Sequence, residues 1–208
     1  EIIRRAGSEE TSVEELIKLA ENTYFAVRES VAGNKKFEKL PVEVQKALIG
    51  EDPDIPQSRE VCKAAAHNPG LNESLYELAA HNKNPQVRAA FASNETESKN
   101  FTKFLMMLLL DPEKEVRLSA IRNKTVKELD LTQPNIIEVV KAEEDPELLV
   151  EFSKCKLSKE LFEILVKKGI AKAKDGDKTV INALLSNPDL PNEFREQIIN
   201  SQKRKLRI

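Results

Sequence analysis

Apolar residues recur along this chain in short helical phases, and one of those phases is spelled repeatedly. "NPQVRAAFASN" ends at Asn94 and "DPEKEVRLSAIRN" at Asn123, and both run from a proline break through Val-Arg and small residues to Asn. The same octet reads "VRESVAGN" at 27–34, "VCKAAAHN" at 61–68, "VRAAFASN" at 87–94 and "VRLSAIRN" at 116–123. A degenerate copy, "LLVEFSKC", spans 148–155, and "VINALLSN" closes at Asn187. Octet ends are 34, 26, 29, 32 and 32 positions apart, so units of about 30 residues carry variable insertions, as in repeat arrays. Octet positions one, four, five and eight share a helical face: Val87, Ala90, Phe91 and Asn94 in the third copy, Val116, Ser119, Ala120 and Asn123 in the fourth. The fourth position is small in five copies (Ser30, Ala64, Ala90, Ser119, Ala183), which predicts a neighbouring helix packed closely over it. The fifth copy places Glu151 there and ends in Cys155, so packing is expected to be loosest in that repeat.

A second helical phase lies between octets. "LNESLYELAAH" offers Asn72 as N-cap and Leu75, Leu78 and Ala79 as an apolar stripe. "TSVEELIKLAEN" spaces Ser12 and Glu15 as a capping box above Val13, Leu16, Ile17 and Ala20. "SKELFEILVKK" and "NEFREQII" repeat the idea. Breakers separate the two helices of each unit: Pro53, Pro85, Pro112, Pro146 and the "DGD" at 175–177. The terminal Asn of each octet suits a helix stop, since Asn tolerates the left-handed conformation. The pattern predicts an all-α chain of roughly a dozen short helices, about six two-helix repeats. These form a single helical-repeat domain over 1–208 with its repeat core at 11–200 and a short basic tail.

Composition narrows the functional classes. Lys plus Arg number 33 against 35 Asp plus Glu, so no overall charge excess points to nucleic acid or an anionic membrane. The longest apolar run, "FLMMLLL" (104–110), is far shorter than the roughly 20 residues a membrane helix needs, so a buried helix is expected there. "EIIRRAGSEE" lacks the apolar stretch of a secretory signal, and the absent Met points to processing or to cutting from a longer chain. Two cysteines, Cys62 and Cys155, form no disulfide framework and suggest a reducing, cytoplasmic setting.

No constellation announces catalysis, a metal or a cofactor. None of the six glycines forms a phosphate loop, and neither cysteine has an adjacent base. His67 and His81 each close an "AAHN" but lack metal-ligand spacing, which favours ordinary hydrogen-bonded histidines. Arg28, Arg88 and Arg117 hold octet position two and read as a structural ladder against neighbouring turns rather than as a phosphate ladder. In the tail, Lys203, Arg204, Lys205 and Arg207 suit the C-terminus of a last helix.

The phrase carried by "AAAHNPGLNESLYELAAHNKNPQVRAAFASN", from Ala64 to Asn94, resembles the leucine-rich repeat variant family, which is similar in design to HEAT repeats. The resemblance covers roughly residues 11 to 200 and is sharp only in the second to fourth octets. It implies a right-handed α-solenoid whose α-helices alternate with 3₁₀ or second α-helices. A cysteine-ligated iron–sulfur cluster associated with that family does not carry over, because the required cysteines are missing. The expected function is a non-enzymatic scaffold, monomeric, that binds a protein partner along a curved surface. The alternative is a nucleic-acid-binding repeat resembling HEAT-like DNA glycosylases. Glu73, Glu77, Lys99, Lys103 and Lys159, polar and beside the second helices, are the candidate partner-binding positions.

Overall fold

The computed structural model describes residues 1–52, 54–129, 131 and 134–204, which form helices and turns with no strand among them. Pro53 and the tail residues Lys205 and Arg207 lie outside the described residues. Two compact units divide the chain, Glu1–Asn123 and Lys124–Ile208.

The first unit holds α1 (Ile2–Gly7), α2 (Val13–Ala20), α3 (Phe25–Ala32), α4 (Val42–Ile49), α5 (Pro56–His67), α6 (Tyr76–Ala80), α7 (Pro85–Ala92), α8 (Phe101–Leu108) and α9 (Lys114–Arg122). Single 3₁₀ turns at Phe37–Lys39 and Glu73–Leu75 lead towards α4 and α6. The octets form α3, α5, α7 and α9, and each packs against the next, with α1 against α3. The intervening helices pack on these and on one another, α2 on α3 and α4, α6 on α7 and α8. The second unit holds α10 (Lys124–Glu128), α11 (Pro134–Ala142), α12 (Pro146–Ser153), α13 (Lys159–Lys174), α14 (Thr179–Ser186) and α15 (Asn192–Arg204). Its octet helices are α12 and α14, which pack together, while α13 meets α11, α12, α14 and α15.

Local chemistry sets these helix starts. Pro56, Pro85 and Pro146 stand at the first turns of α5, α7 and α12, where a missing N–H costs nothing. Ser12 Oγ accepts from Glu15 N at 3.2 Å, but the Glu15 carboxylate pairs with Arg5 instead of closing a reciprocal box. Asn72 Oδ1 accepts from Ser74 N at 3.0 Å and caps the 3₁₀ turn. Gly176 takes φ +101° between α13 and α14, a conformation that costs a residue with Cβ.

The octet builds the core through positions one and five. Val27, Val61, Val87, Val116, Leu148 and Val180 hold position one and are fully buried. Val31, Ala65, Phe91, Ala120, Phe152 and Leu184 hold position five and are equally buried. Each large member contributes about 1.5–3 kcal/mol of burial. Around Phe91 the rings of Tyr76, Phe101 and Phe104 meet it with centroids 5.0–6.0 Å away, edge-on or tilted.

Three expectations need correction. The fourth octet position is half-buried, not enclosed: Ala64, Ala90 and Ser119 open onto a groove, because the fifth and sixth positions point inward instead. Leu78 is exposed while Tyr76 takes its place inside, since the 3₁₀ turn before α6 shifts the helical phase. The octet-ending Asn residues do not adopt a left-handed conformation. Asn68, Asn123 and Asn187 are extended, with φ of −60° to −75°, and no residue other than glycine has positive φ among the described residues. In the fifth copy Glu151 is buried and pairs with Lys154 at 3.1 Å, and its neighbours Leu148, Leu149 and Phe152 are fully enclosed.

Candidate functional site

The octet-ending asparagines explain why the helices sit where they do. Asn68 Nδ2 donates to Ala32 O at 2.8 Å and Asn34 O at 3.0 Å, both at the end of the preceding octet. Asn94 does the same to Ala66 O and Asn68 O, and Asn123 to Ala92 O and Asn94 O. The amide thus satisfies carbonyls that the helix end leaves without an intrahelical partner. Its own Oδ1 accepts from the N–H two residues on, Gly70 N for Asn68 and Thr96 N for Asn94, each at 2.9 Å. The turn that follows Asn68 lies tight on the previous unit: a Cβ on Gly70 would stand 2.8 Å from Glu38 N. Asn34 reaches Ala6 O and Ser8 O, which makes residues 1–8 an additional octet that the letters conceal. In the second unit Asn187 bonds Ser153 O and Cys155 O at 2.8 and 3.0 Å. Cys155, standing in the Asn position, sends its thiol to Glu151 O in its own helix.

The arginines of position two form a second set of fastenings. Arg88 grips Asp111 bidentately, Nε to Oδ2 at 2.7 Å and Nη2 to Oδ1 at 2.9 Å, while Nη1 donates to Asn82 O and Lys83 O. Arg28 holds Glu51 through Nε and Nη2 and donates to Asn22 O and Thr23 O. Arg117 donates to Asp111 O and Pro112 O. Each therefore clamps its own preceding turn, and Arg28 and Arg88 also reach an acid 23 residues ahead. Hydrogen bonding to Asp111 raises the Arg88 guanidinium above its ordinary value, so the cation is fixed.

With positions one, five and eight committed to the interior, the stripe at the residue before the octet and at positions four and seven faces outward. That stripe of α5, α7 and α9, with Glu29 of α3, lines a groove of about 790 Å³ in the first unit. Small side chains form its floor: Ala64, Ala89, Ala90 and Ser119. One wall carries Glu60, Gln86 and Glu115, the residues immediately before their octets, with Glu113 beside them. The other carries His67 and Ser93 at position seven. Among the charged lining residues, four glutamates (Glu29, Glu60, Glu113, Glu115) face a single lysine, Lys63. Lys63 Nζ lies 2.9 Å from Glu60, and that hydrogen bond holds the Glu60 carboxyl below its ordinary range. Among the described residues, the carboxylates of Glu29, Glu113 and Glu115 receive no hydrogen bond or ion pair from this chain.

Ser93 Oγ lies 3.2 Å from His67 Nδ1 but donates its hydrogen to Ala90 O at 2.9 Å. One hydroxyl proton cannot serve both, so with its hydrogen on Ala90 O this serine is not a donor to the imidazole. Burial pushes the Cys62 and Cys155 thiols up to about 12, which leaves almost no thiolate at neutral pH.

The five partner-binding candidates lie elsewhere. Glu73 accepts from Ser98 Oγ and Asn100 Nδ2, and the first of these bonds leads in lowering its pKa. Glu77 faces His81 at 3.2 Å, Lys99 is exposed on the turn before α8, and Lys103 Nζ sits 4.7 Å from the Phe104 ring centroid. Lys159, in the second unit, pairs with Glu193 at 2.9 Å. None of them lines the groove. The sequence signal for the groove was the run of small residues at position four, which marks a floor as readily as a close contact. No described helix is long and apolar enough to cross a membrane. Compared with family models, with curated proteins and with solved structures, the chain finds no match.

Proposed function

We propose that the chain is a HEAT-like helical-repeat scaffold, an α-solenoid of the leucine-rich repeat variant kind, that binds another protein through the groove formed by its octet helices. It acts without catalysis. The observation that carries this reading is the groove's charge, four glutamates against one lysine over a floor of alanine and serine. A phosphate backbone in such a groove meets repulsion where nucleic-acid binding needs Lys and Arg. A polypeptide meets the small floor with its side chains and the walls with its polar groups. The polar positions that remain exposed beside the second helices, Glu77, Lys99 and Lys103 among them, serve solvation in this reading.

The test pairs affinity capture with a DNA-binding titration at two salt concentrations, using wild type and an Ala90→Arg variant that obstructs the groove floor. Capture of a defined protein by wild type and its loss in the variant support the scaffold. Tight DNA binding with a steep salt slope, and no protein lost on obstruction, overturns it.

A further inference from the structure

The groove's walls also indicate what kind of polypeptide fits. Glu29 and Glu60 stand in the middle of α3 and α5, away from the helix N-termini where the helix dipole favours acids. Glu113 and Glu115 stand at the start of α9, on the same groove. Among the described residues, the carboxylates of Glu29, Glu113 and Glu115 receive no hydrogen bond or ion pair from the chain, although the Glu113 charge acts on Arg88, and Lys63 pairs with Glu60. Acids brought together around a concave floor repel one another, and a bound cationic segment relieves that repulsion. The spacing of the walls is set by the helices. Packed helices lie about 8–10 Å apart, while a polyproline-type segment advances about 9 Å for every three residues. Side chains at every third position of an extended segment therefore keep step with successive octet helices, of which α3, α5 and α9 present acids and α7 presents Gln86, and the alanine floor leaves room for its backbone.

Resting on the protein-binding reading above, we propose that the groove takes an extended, basic peptide segment of the partner, with Lys or Arg seated against Glu29 of α3, Glu60 of α5 and Glu113 and Glu115 of α9, and a neutral residue at the intervening third position over α7.

The probe is a fluorescein-labelled decapeptide with Lys at its first, fourth and tenth positions, Gln at its seventh and Pro-Ala between them, followed by fluorescence polarisation against the full chain. Two further peptides carry Glu at those positions, or the three Lys side by side. The expected result is saturable binding of the spaced lysine peptide, at least tenfold tighter than either control and weakened by salt. The triple variant Glu29→Gln, Glu113→Gln, Glu115→Gln should weaken it at least tenfold with an unchanged helical spectrum, whereas Glu77→Gln, outside the groove, should leave it unchanged. Equal binding of the lysine and glutamate peptides, or undiminished binding by the triple variant, overturns the proposal. If no peptide binds while Ala90→Arg still abolishes capture of a protein, the basic segment is refuted and the protein-binding groove stands. If obstruction changes nothing either, both fall.

Discussion

Replacing Asn68 tests whether the octet's last residue is a helix stop or a fastening between repeats. Its side chain is nearly buried and makes three hydrogen bonds: two donated to Ala32 O and Asn34 O, and one accepted from Gly70 N. At about 1 kcal/mol net for each bond, Asn68→Ala should cost about 3 kcal/mol. The Ala32 carbonyl, at a helix end, is then left facing a buried gap. Asn68→Gly separates the two roles. A stop that depended on left-handed backbone would gain from glycine, but Asn68 has φ −69° and ψ 123° and precedes Pro69, which itself favours extended backbone. Glycine should therefore lose as much as alanine, and slightly more from chain entropy. Urea titration followed by helical circular dichroism would show the midpoint falling by about 1–2 M at unchanged slope. A loss below 1 kcal/mol for alanine, or a glycine variant at wild-type stability, refutes the ladder.

Other consequences are equally direct. Asp111→Ala strands the mostly buried Arg88 guanidinium and should cost about 3 kcal/mol, read by the same titration; a cost under 1 kcal/mol would show the pair to be dispensable. Ala90→Leu, on the groove floor, should change stability by less than about 0.5 kcal/mol, whereas Ala65→Leu, fully enclosed, should overpack and cost about 1–3 kcal/mol. Equal costs at the two sites would mean that the groove is not open. Both thiols should resist a disulfide exchange reagent at pH 8 in the native protein and react at once in guanidinium, because burial raises them to about 12. Their ordinary value is 9.0, so below pH 9 they leave stability unchanged. Between pH 9 and 12 the unfolded chain sheds these protons first, and stability should fall by about 1.4 kcal/mol per pH unit for each thiol. A Cys62→Ala, Cys155→Ala variant that keeps the full slope would contradict this.

The octet is legible in the sequence because its letters encode contacts that recur: Val at position one in five copies, Leu148 in the other, and a helix-compatible run behind it. The helical class follows from that periodicity. The facing of the helix does not, since small residues at position four suit both a close packing contact and an open floor, and only the burial of position six decides between them. The asparagine ladder has a signal that goes unread when each repeat is taken alone. A helix stop tolerates glycine, yet the octets end in Asn five times and in Cys once, never in Gly. Residues 1–8 conceal their octet because the partners they offer are backbone carbonyls, which no letter records. The acids that Arg28 and Arg88 grip stand at one spacing, 23 residues ahead, but the letter changes from Glu51 to Asp111 and Arg117 meets Val140 there, so the pairing does not read as part of the repeat. The groove's acidity becomes readable only once the phase is known, because Glu29, Glu60 and Glu115 are scattered through ordinary charged helix faces.

The ladder fastens each octet that ends in Asn to main-chain oxygen and never to a neighbour's side chain. Asn187 shows what this permits: it binds the end of an octet that finishes in Cys at 2.8 and 3.0 Å, the same lengths at which Asn68 binds one that finishes in Asn. The asparagine joint itself asks nothing of the predecessor's side chains, whereas the clamps of Arg28 and Arg88 each require an acid 23 residues ahead. A single degenerate copy can therefore drift without unseating the one that follows, although a copy that carries the arginine clamp cannot be exchanged without its acid. The joint is generic, so what precedes an Asn-ending octet can change its letters while the fastening stays the same.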